Sequence, residues 1–534
     1  MEIEAKYSVL DPETARSLAS MSQIASDQLR PGETQEIRDT YMDTPDQRLM
    51  AASYACRRRD NGSTSRINLK GLGSSDGTVH RREEVSLTID EATLTTPHAW
   101  AEGAARETVL SLGDHQDLHI LFEIRQTRHI RYVVHPDRGE IAELSLDDVT
   151  FLGQEWQKRA TELEIELLEP GVEEDLEQIT AALVACPGLV PQPTSKFERG
   201  MGVVYRHSGI GAQLDLGNVQ KDDTIGEATR KLLRPLFLRM QLHEQGTYMG
   251  EDLEELHDLR VMTRRMRTAF RMAEPYLIRN EVKRIRRGLR KTARLLGAVR
   301  DMDVFRQKTE DVAAKAGIAM ADLGFLTEVW DVEYARRRNE MLRYLTSRPY
   351  GRFKQDLWAK LSTRLPELQP PSPVRDVVHH IISDQLATLL AQGEVVERPN
   401  APLSAYHQLR IDVKHLRYTL TFFQDLLGPE TGPALAVLET LQDYFGDLQD
   451  AVVATGHLRA VAQCGTWEMP RQVRSLWQAC DVASGVQPPT RGLRALLAAR
   501  EAEIDALVAG ALAMWRGFQE REVPDLIQKA LRAL

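Results

Sequence analysis

Residues 1–7 read MEIEAKY, with Glu2, Glu4 and Lys6 at every second position and Ile3, Ala5 and Tyr7 between them. Side chains alternate across a β-strand with a period of two, so the charged set stands on one face and the apolar set on the other. Such alternation ordinarily marks a strand with one solvated face. The strands that follow bear on this reading, because their polar faces are sorted by sign.

Up to about Gly200 the chain reads as strands joined by Gly, Asp, Asn and Pro turns, with a hairpin expected through Asp60-Asn61-Gly62. In RRRD, Arg57 and Arg59 share a face; in SRINLKG the set is Arg66, Asn68 and Lys70; in RREEVSLTI it is Arg82, Glu84, Ser86 and Thr88. LFEIRQT aligns Glu123, Arg125 and Thr127; ELSLDD aligns Glu143, Ser145 and Asp147; TELEIELLE aligns Glu162, Glu164 and Glu166. Some faces are all carboxylate and others mostly cationic. Like charges two apart repel unless an opposite charge or a ligand lies between them. Glu2, Glu4, Asp147, Glu162 and Glu164 suit a hard divalent cation bound through oxygen. Arg57, Arg59, Lys70 and Arg82 suit phosphate oxygens. Closing the sheet into a barrel would bring both sets around one polar lumen, shaped for a metal-bound oligophosphate.

This part of the chain resembles the CYTH family, the triphosphate tunnel metalloenzymes. The resemblance rests on the ExExK pattern of MEIEAKY, then IRDTYMDTPDQRL, CRRR, NLKG, ELEIEL and SKFERG in that order. It implies a closed antiparallel β-tunnel, Mg²⁺ or Mn²⁺ as cofactor, and hydrolysis of inorganic triphosphate or a related linear triphosphate. Carried over, the metal-side carboxylates are Glu2, Glu4, Asp147, Glu162 and Glu164. The phosphate-side cations are Lys6, Arg38, Arg57, Arg59, Lys70, Arg82, Arg125 and Lys196, with Arg128 as a rival to Arg125 if the strand is bulged. Glu4 is the candidate base and Lys6 a catalytic cation; Ser86 stands where relatives often carry an acid. Nucleotide cyclase activity, which also occurs among relatives, stays open.

Beyond SGIGAQLDLGN the periodicity becomes helical. HDLRVMTRRMRTAFRMAEPYL from His257 resembles HQLRIDVKHLRYTLTFFQDLL from His407, and LLGAVRDMDVF from Leu295 resembles YFGDLQDAVVA from Tyr444. Two matched landmarks in the same order point to an internal duplication. On a helix, His257, Arg260, Arg264, Arg267 and Arg271 form one stripe opposite Leu259, Met262, Met266 and Phe270. His407, Arg410, Lys414 and Arg417 form the matching stripe, and Lys291 and Arg294 add cations on the next helix of the first copy. Asp301 and Asp450 occupy equivalent places and offer an internal alternative, salt-bridge networks without a ligand. These blocks resemble the CHAD domain, an α-helical domain of two related bundles, and imply inorganic polyphosphate as a partner.

The expected organisation is an α+β chain: a tunnel domain over 1–203, a linker over 204–221 and a helical domain over 222–534, its repeats at about 222–375 and 376–534. Across 534 residues, 42% hydrophobic and 27% charged content is that of a globular protein, and the net charge of −10 conceals the segregation described above. The four cysteines form no CxxC pair, so neither a zinc site nor a disulfide framework is expected. No run reaches transmembrane length and the first residues are not signal-like, which favours a cytoplasmic protein without a membrane partner. The basic stripes lack interleaved stacking aromatics, so a nucleic-acid surface is not expected. The alternative to an enzyme is a polyphosphate-binding protein with a vestigial tunnel.

Overall fold

The computed structural model describes residues 2–45, 48–52, 54–61, 65–71, 75–76, 79–82, 84–88, 93–153, 156–183, 186, 188–192, 194–207, 219–250, 252–363, 365–467 and 491–534. The N-terminal strands are β1 (Glu2–Val9), β2 (Gln23–Ile24), β3 (Asp27–Asp43), β4 (Tyr54–Asp60), β5 (Ser65–Gly71), β6 (Ser75–Asp76), β7 (Val79–Arg82), β8 (Glu84–Thr88), β9 (His119–His135), β10 (Gly139–Leu152), β11 (Gln157–Leu167) and β12 (Leu189–Pro191). They form one 12-stranded sheet whose neighbours run β6-β7-β1-β11-β10-β9-β3-β4-β5-β8, with β12 on β1 and β2 on β3. The hairpin expected after Asp60 is present as the β4–β5 pair, with Asp60 opposite Ser65; position 62 of its turn lies outside the described residues.

The expected closed cylinder is not a hydrogen-bonded ring among the described residues, because the strand order has two ends. RREEVSLTI, expected as a single strand, is two: β7 pairs with β1 and β8 pairs with β5. Only position 83 separates them, so the chain itself ties the two ends of the sheet together.

Hydrophobic burial decides which way the alternating faces point. Ala5, Tyr7, Leu144, Leu146, Leu163 and Ile165 pack in one core with Leu18 of the Pro12–Ser20 helix and Leu176, Ile179 and Leu183 of the Glu173–Leu183 helix. The apolar face of β1, β10 and β11 is thus the covered outside of the sheet, and the charged set must turn to the other side. That side is not solvated: Glu4 is 4% exposed and Lys6 is 6% exposed. The solvated-edge reading of MEIEAKY therefore fails.

Beyond residue 224 the described elements are all helices, which with the antiparallel sheet makes the chain α+β. The matched sequence landmarks fall on matched elements. Leu253–Ala273 and Leu403–Phe423 are both 21-residue helices, each followed by a three-residue 3-10 turn and a long helix, Arg279–Lys315 of 37 residues and Thr431–Cys464 of 34. The apolar stripes Leu259, Met262, Met266 and Phe270, and Leu409, Leu416 and Leu420, enter one continuous core. No described helix is long and apolar enough to cross a membrane.

One helix, Lys196–His207, joins the two units. Its Phe197 and Met201 fill one end of the sheet's interior beside Tyr41, Phe122 and Phe151. On its other side Gly202 lies so close to the Ile225–Leu242 helix that a Cβ there would stand 3.0 Å from the Leu238 carbonyl. Polar contacts extend the joint. Gln241 Nε2 donates to Thr194 Oγ1 at 3.0 Å, and Lys158 of β11 reaches Glu255 at 2.5 Å. Glu255 also meets the fully buried His243 at 2.8 Å.

Candidate functional site

Inside the sheet lies a cavity of about 150 Å³ lined by Glu4, Lys6, Tyr41, Arg57, Arg59, Lys70, Arg128, Glu164, Glu166, Ser195, Lys196 and Phe197, among others. The charges are sorted by strand. Glu4 on β1 and Glu164 and Glu166 on β11 make one wall, held in register with Glu4 opposite Glu166 and Lys6 opposite Glu164. Arg57 and Arg59 on β4 and Lys70 on β5 belong to the other. Between the walls, Lys6 Nζ lies 3.1 Å from Glu4 Oε1 and 3.0 Å from Glu164 Oε1, and Lys196 Nζ lies 3.2 Å from Glu164 Oε1. Arg128 bonds Glu164 as well. Burial pushes the Glu164 carboxyl up, but Lys196, Lys6 and Arg128 outweigh it and hold the group well below the usual carboxylate range.

Several expected members stand elsewhere. Arg125 and Arg38 are corrections: both point to the outer side of the sheet, where their Nε atoms donate to Glu123 at 2.7 and 2.6 Å, and their side chains are 65% and 53% exposed. Strand parity explains it. The inward residues of β9 are Phe122, Ile124, Gln126 and Arg128, so Arg128 takes the place that Arg125 was expected to hold. Asp147 and Glu162 share the inward polar face, directly opposite one another across β10 and β11, and lie behind the residues that line the cavity. Asp147 is fully buried and accepts from Arg128 at 2.9 and 2.7 Å and from Lys196 at 2.5 Å. Glu162 is engaged by Arg199 of the Lys196–His207 helix, which caps that end of the interior. Glu2 and Arg82 face each other across β1 and β7, and their side chains lie outside the described residues.

The sequence reading missed Asp39, Tyr41 and Arg199, which come from two segments whose faces were not sorted, β3 and the Lys196–His207 helix. Glu166 carries the same parity as Glu164, a signal that was already present. The donor chemistry of the acidic wall, carboxylate oxygens alone, fits a hard divalent cation. Among the described residues, no three His, Cys, Asp or Glu side chains converge into a ready-made cage.

The helical unit holds a second charged feature. The two basic helices, expected as separate stripes, lie against each other. Arg264 of the first places its guanidinium 5.6 Å from the centroid of Tyr418 on the second, and Arg271 donates to Nε2 of His415. Because arginine only donates, this pairing requires a neutral His415 ring with its proton on Nδ1. Burial, then Arg410, Arg264, Arg271 and Arg260, pulls the Lys414 ammonium down to about 8. Burial, then Arg271 and Lys414, pulls His415 down to about 4. Cations of both copies therefore share one patch.

Around it, Arg260 meets Asp301 at 3.3 Å and Arg417 meets Glu439 at 2.6 Å. Asp450 lies instead with Asp447 on Lys308, each at 2.8 Å, so the internal salt-bridge alternative accounts for only part of the basic surface. Arg267 is lowered by burial and by Arg271 and Arg290. Arg294 is exposed on the same helical stripe as Arg290 and Asp301, whereas Lys291 sets its Nζ 4.4 Å from the Tyr344 ring centroid. The histidines differ between copies. His407 Nδ1 lies 2.6 Å from Gln449 Oε1, while His257 is lowered by burial and by Arg300.

Comparison with known proteins fits this two-part layout. The CYTH domain family matches residues 1–201 and the CHAD domain family residues 231–459. An uncharacterized protein of Mycobacterium tuberculosis, found in strains CDC 1551 and H37Rv, is 23% identical over 484 residues, which is 86% of this chain and 88% of its own. Among solved structures, the CHAD domain of the plant Ricinus communis is 21% identical, with a TM-score of 0.42, covering 56% of this chain and 93% of its own. HpAC1 from Hippeastrum, an adenylyl cyclase candidate with a dominant triphosphatase activity, is 21% identical, with a TM-score of 0.30, covering 38% of this chain and 96% of its own. The chain is a CYTH domain followed by a CHAD domain.

Proposed function

We propose that the N-terminal domain hydrolyses inorganic triphosphate or a related linear triphosphate with Mg²⁺ or Mn²⁺, and that the helical domain binds inorganic polyphosphate. The observation that carries the first half is one buried cavity with Glu4, Glu164 and Glu166 on one wall and Arg57, Arg59 and Lys70 on the other. Mg²⁺ is usually held by one or two carboxylates together with waters and substrate phosphates, so Glu4, Glu164 and Glu166 are the residues that would hold it. The cation, when bound, supplies a Lewis acid on the phosphate oxygens. Arg57, Arg59, Lys70 and Arg128 would neutralise the charge that builds on the terminal phosphoryl group and on the leaving pyrophosphate. Lys6 and Lys196, now paired with Glu164, would exchange that carboxylate for phosphate oxygens. Water would add to the terminal phosphorus as the bridging P–O bond breaks, giving phosphate and pyrophosphate, and the Glu4 carboxylate would take the proton of the attacking water.

The second half rests on the cross-copy basic patch, where surplus cations face one another and a polyanion supplies the missing charge. The test is phosphate release from triphosphate, longer polyphosphate, ATP and thiamine triphosphate, with and without Mg²⁺ or Mn²⁺. Release from a triphosphate that stops on chelation is the expected result. A binding-only protein is the second reading, favoured by the engagement of the cavity acids by Lys6, Lys196 and Arg128. It predicts no release from any triphosphate together with tight, salt-sensitive binding of long chains.

A further inference from the structure

Asp39 is the one acid described on the cationic side of the cavity whose position a phosphate-gripping wall does not explain by itself. It stands on β3 directly opposite Arg59 of β4, two residue pairs from Tyr41 opposite Arg57 and on the same face. Its side chain is fully buried. Both of its oxygens accept from Arg59, Nε to Oδ1 at 2.8 Å and Nη2 to Oδ2 at 2.8 Å, and Oδ2 also accepts from Arg57 Nη1 at 3.2 Å. Arg57 Nη1 lies 3.4 Å from the Tyr41 hydroxyl as well. Burial pushes the Asp39 carboxyl up, but Arg57, Arg59 and Lys196 overcome it and hold the group at about 2, so it is a carboxylate throughout the working pH range.

A wall that only had to attract an anion would do better without this charge, because Asp39 cancels part of the field of the two arginines. What a buried carboxylate supplies in exchange is geometry. A bidentate bond fixes the plane of the Arg59 guanidinium and leaves its opposite edge for the cavity, and the shared oxygen ties Arg57 to the same frame. Asp39 does not itself line the cavity, so it acts only through the arginines that do. We propose that Asp39 is a positioning residue that locks Arg57 and Arg59 into the orientation required by the transferred phosphoryl group. This rests on the triphosphatase reading of the cavity.

The two roles separate in kinetics. Losing a charge that opposes the substrate leaves ground-state binding intact or tighter, whereas losing orientation slows the chemical step. In Asp39→Asn, kcat for triphosphate is expected to fall at least about tenfold with KM unchanged or lower. Active sites are counted by calorimetric titration with the imido analogue of triphosphate, so that misfolded protein does not enter kcat. Asp39→Glu, which keeps the charge and shifts it by one methylene, is expected to lose kcat in the same selective way if the asparagine variant does not fold. Asp39→Asn added to Arg59→Gln is expected to cause little further loss, since the two act as a unit. Wild-type kcat and KM in both Asp39 variants, a loss confined to KM, or losses that multiply in the double variant would overturn the assignment. A wild-type protein that turns over no triphosphate overturns the triphosphatase reading itself, and this inference with it.

Discussion

The two charged sites solve opposite electrostatic problems. In the β-cavity the principal cations meet acids: Lys6 lies on Glu4 and Glu164, Arg128 on Asp147 and Glu164, Lys196 on Asp147 and Glu164, and Arg59 on Asp39. In the helical patch cations meet cations, with Lys414 among Arg410, Arg264, Arg271 and Arg260. The difference follows from burial. Charges turned into a sheet's interior cannot stand unpaired, and neighbouring strands supply partners at fixed register. A helix stripe at the surface keeps some water, so like charges persist there at the cost of a depressed ammonium. A substrate entering the cavity must exchange partners, which makes geometry decisive. A polyanion on the patch adds a missing counter-charge, which makes salt and protons decisive.

The sharpest way to break this contrast is to remove one shared partner from the cavity. Glu164 answers Lys6, Lys196 and Arg128 together, so Glu164→Gln is expected to lower triphosphate hydrolysis by about a hundredfold or more while polyphosphate binding stays at the wild-type level. Removing one member of a buried pair costs about 3–5 kcal/mol, so the melting temperature should fall as well. Activity that survives this change would mean that the cavity is not the reacting site. Next in size is a pair of arginines three residues apart. Arg128→Ala is expected to reduce kcat/KM by about a hundredfold, because it strips a cation from the cavity and leaves Asp147 partly unpaired. Arg125→Ala, on the solvent side, is expected to stay within about twofold of wild type. Equal losses in the two variants would contradict the inward parity of β9.

How much of this was legible in the sequence depends on what fixes each position. The sorting of Glu164 from Arg57 needed only period two, because a strand cannot turn one of three alternating residues to the wrong face without a bulge. Choosing Arg128 over Arg125 needed the register of the whole strand: Phe122 and Ile124, inward where the Lys196–His207 helix fills the interior, set the parity. Asp147 and Glu162 were readable as members of the polar face. Their burial behind guanidinium groups was not, since Arg199 arrives from a helix far along the chain. The halves of RREEVSLTI look alike in pattern, and pairing with opposite ends of the sheet is a tertiary fact. In the helical domain each stripe followed from a helical period of 3.6, whereas their merger into one patch depends on how the copies dock. The tyrosine that receives Arg264 is itself part of the second copy's YTLTFF run.

That merger sets a smaller effect. Arg264→Ala removes a first-copy cation from beside second-copy groups, and is expected to weaken polyphosphate binding about tenfold and to flatten the dependence of log K on log salt by about one ion. Two independent stripes would instead leave a full-affinity site on the second copy, visible as unchanged tight binding with halved stoichiometry in calorimetry.

The smallest effect is the most specific to like-charge crowding. Lys414 is held down to about 8 by burial and by Arg410, Arg264, Arg271 and Arg260, on its own helix and on the one opposite. Phosphate oxygens among those guanidinium groups offset the repulsion and return the ammonium toward its ordinary value near 10.4. Binding therefore takes up a proton when the pH lies above about 8, and affinity, level below that point, declines as the pH rises through the window. Because the unfolded chain binds this proton more tightly than the folded one, the free protein gains stability over the same window, opposite in sign to the change in affinity. The expected drop in polyphosphate affinity between pH 7 and pH 9.5 is about three- to tenfold, reduced from the full linkage because Lys414 retains some solvent. In Lys414→Arg, whose charge does not titrate there, the profile should be flat. A wild-type profile that is equally flat would mean that the ammonium already has a counter-charge, and that the patch is balanced like the cavity rather than poised for an anion.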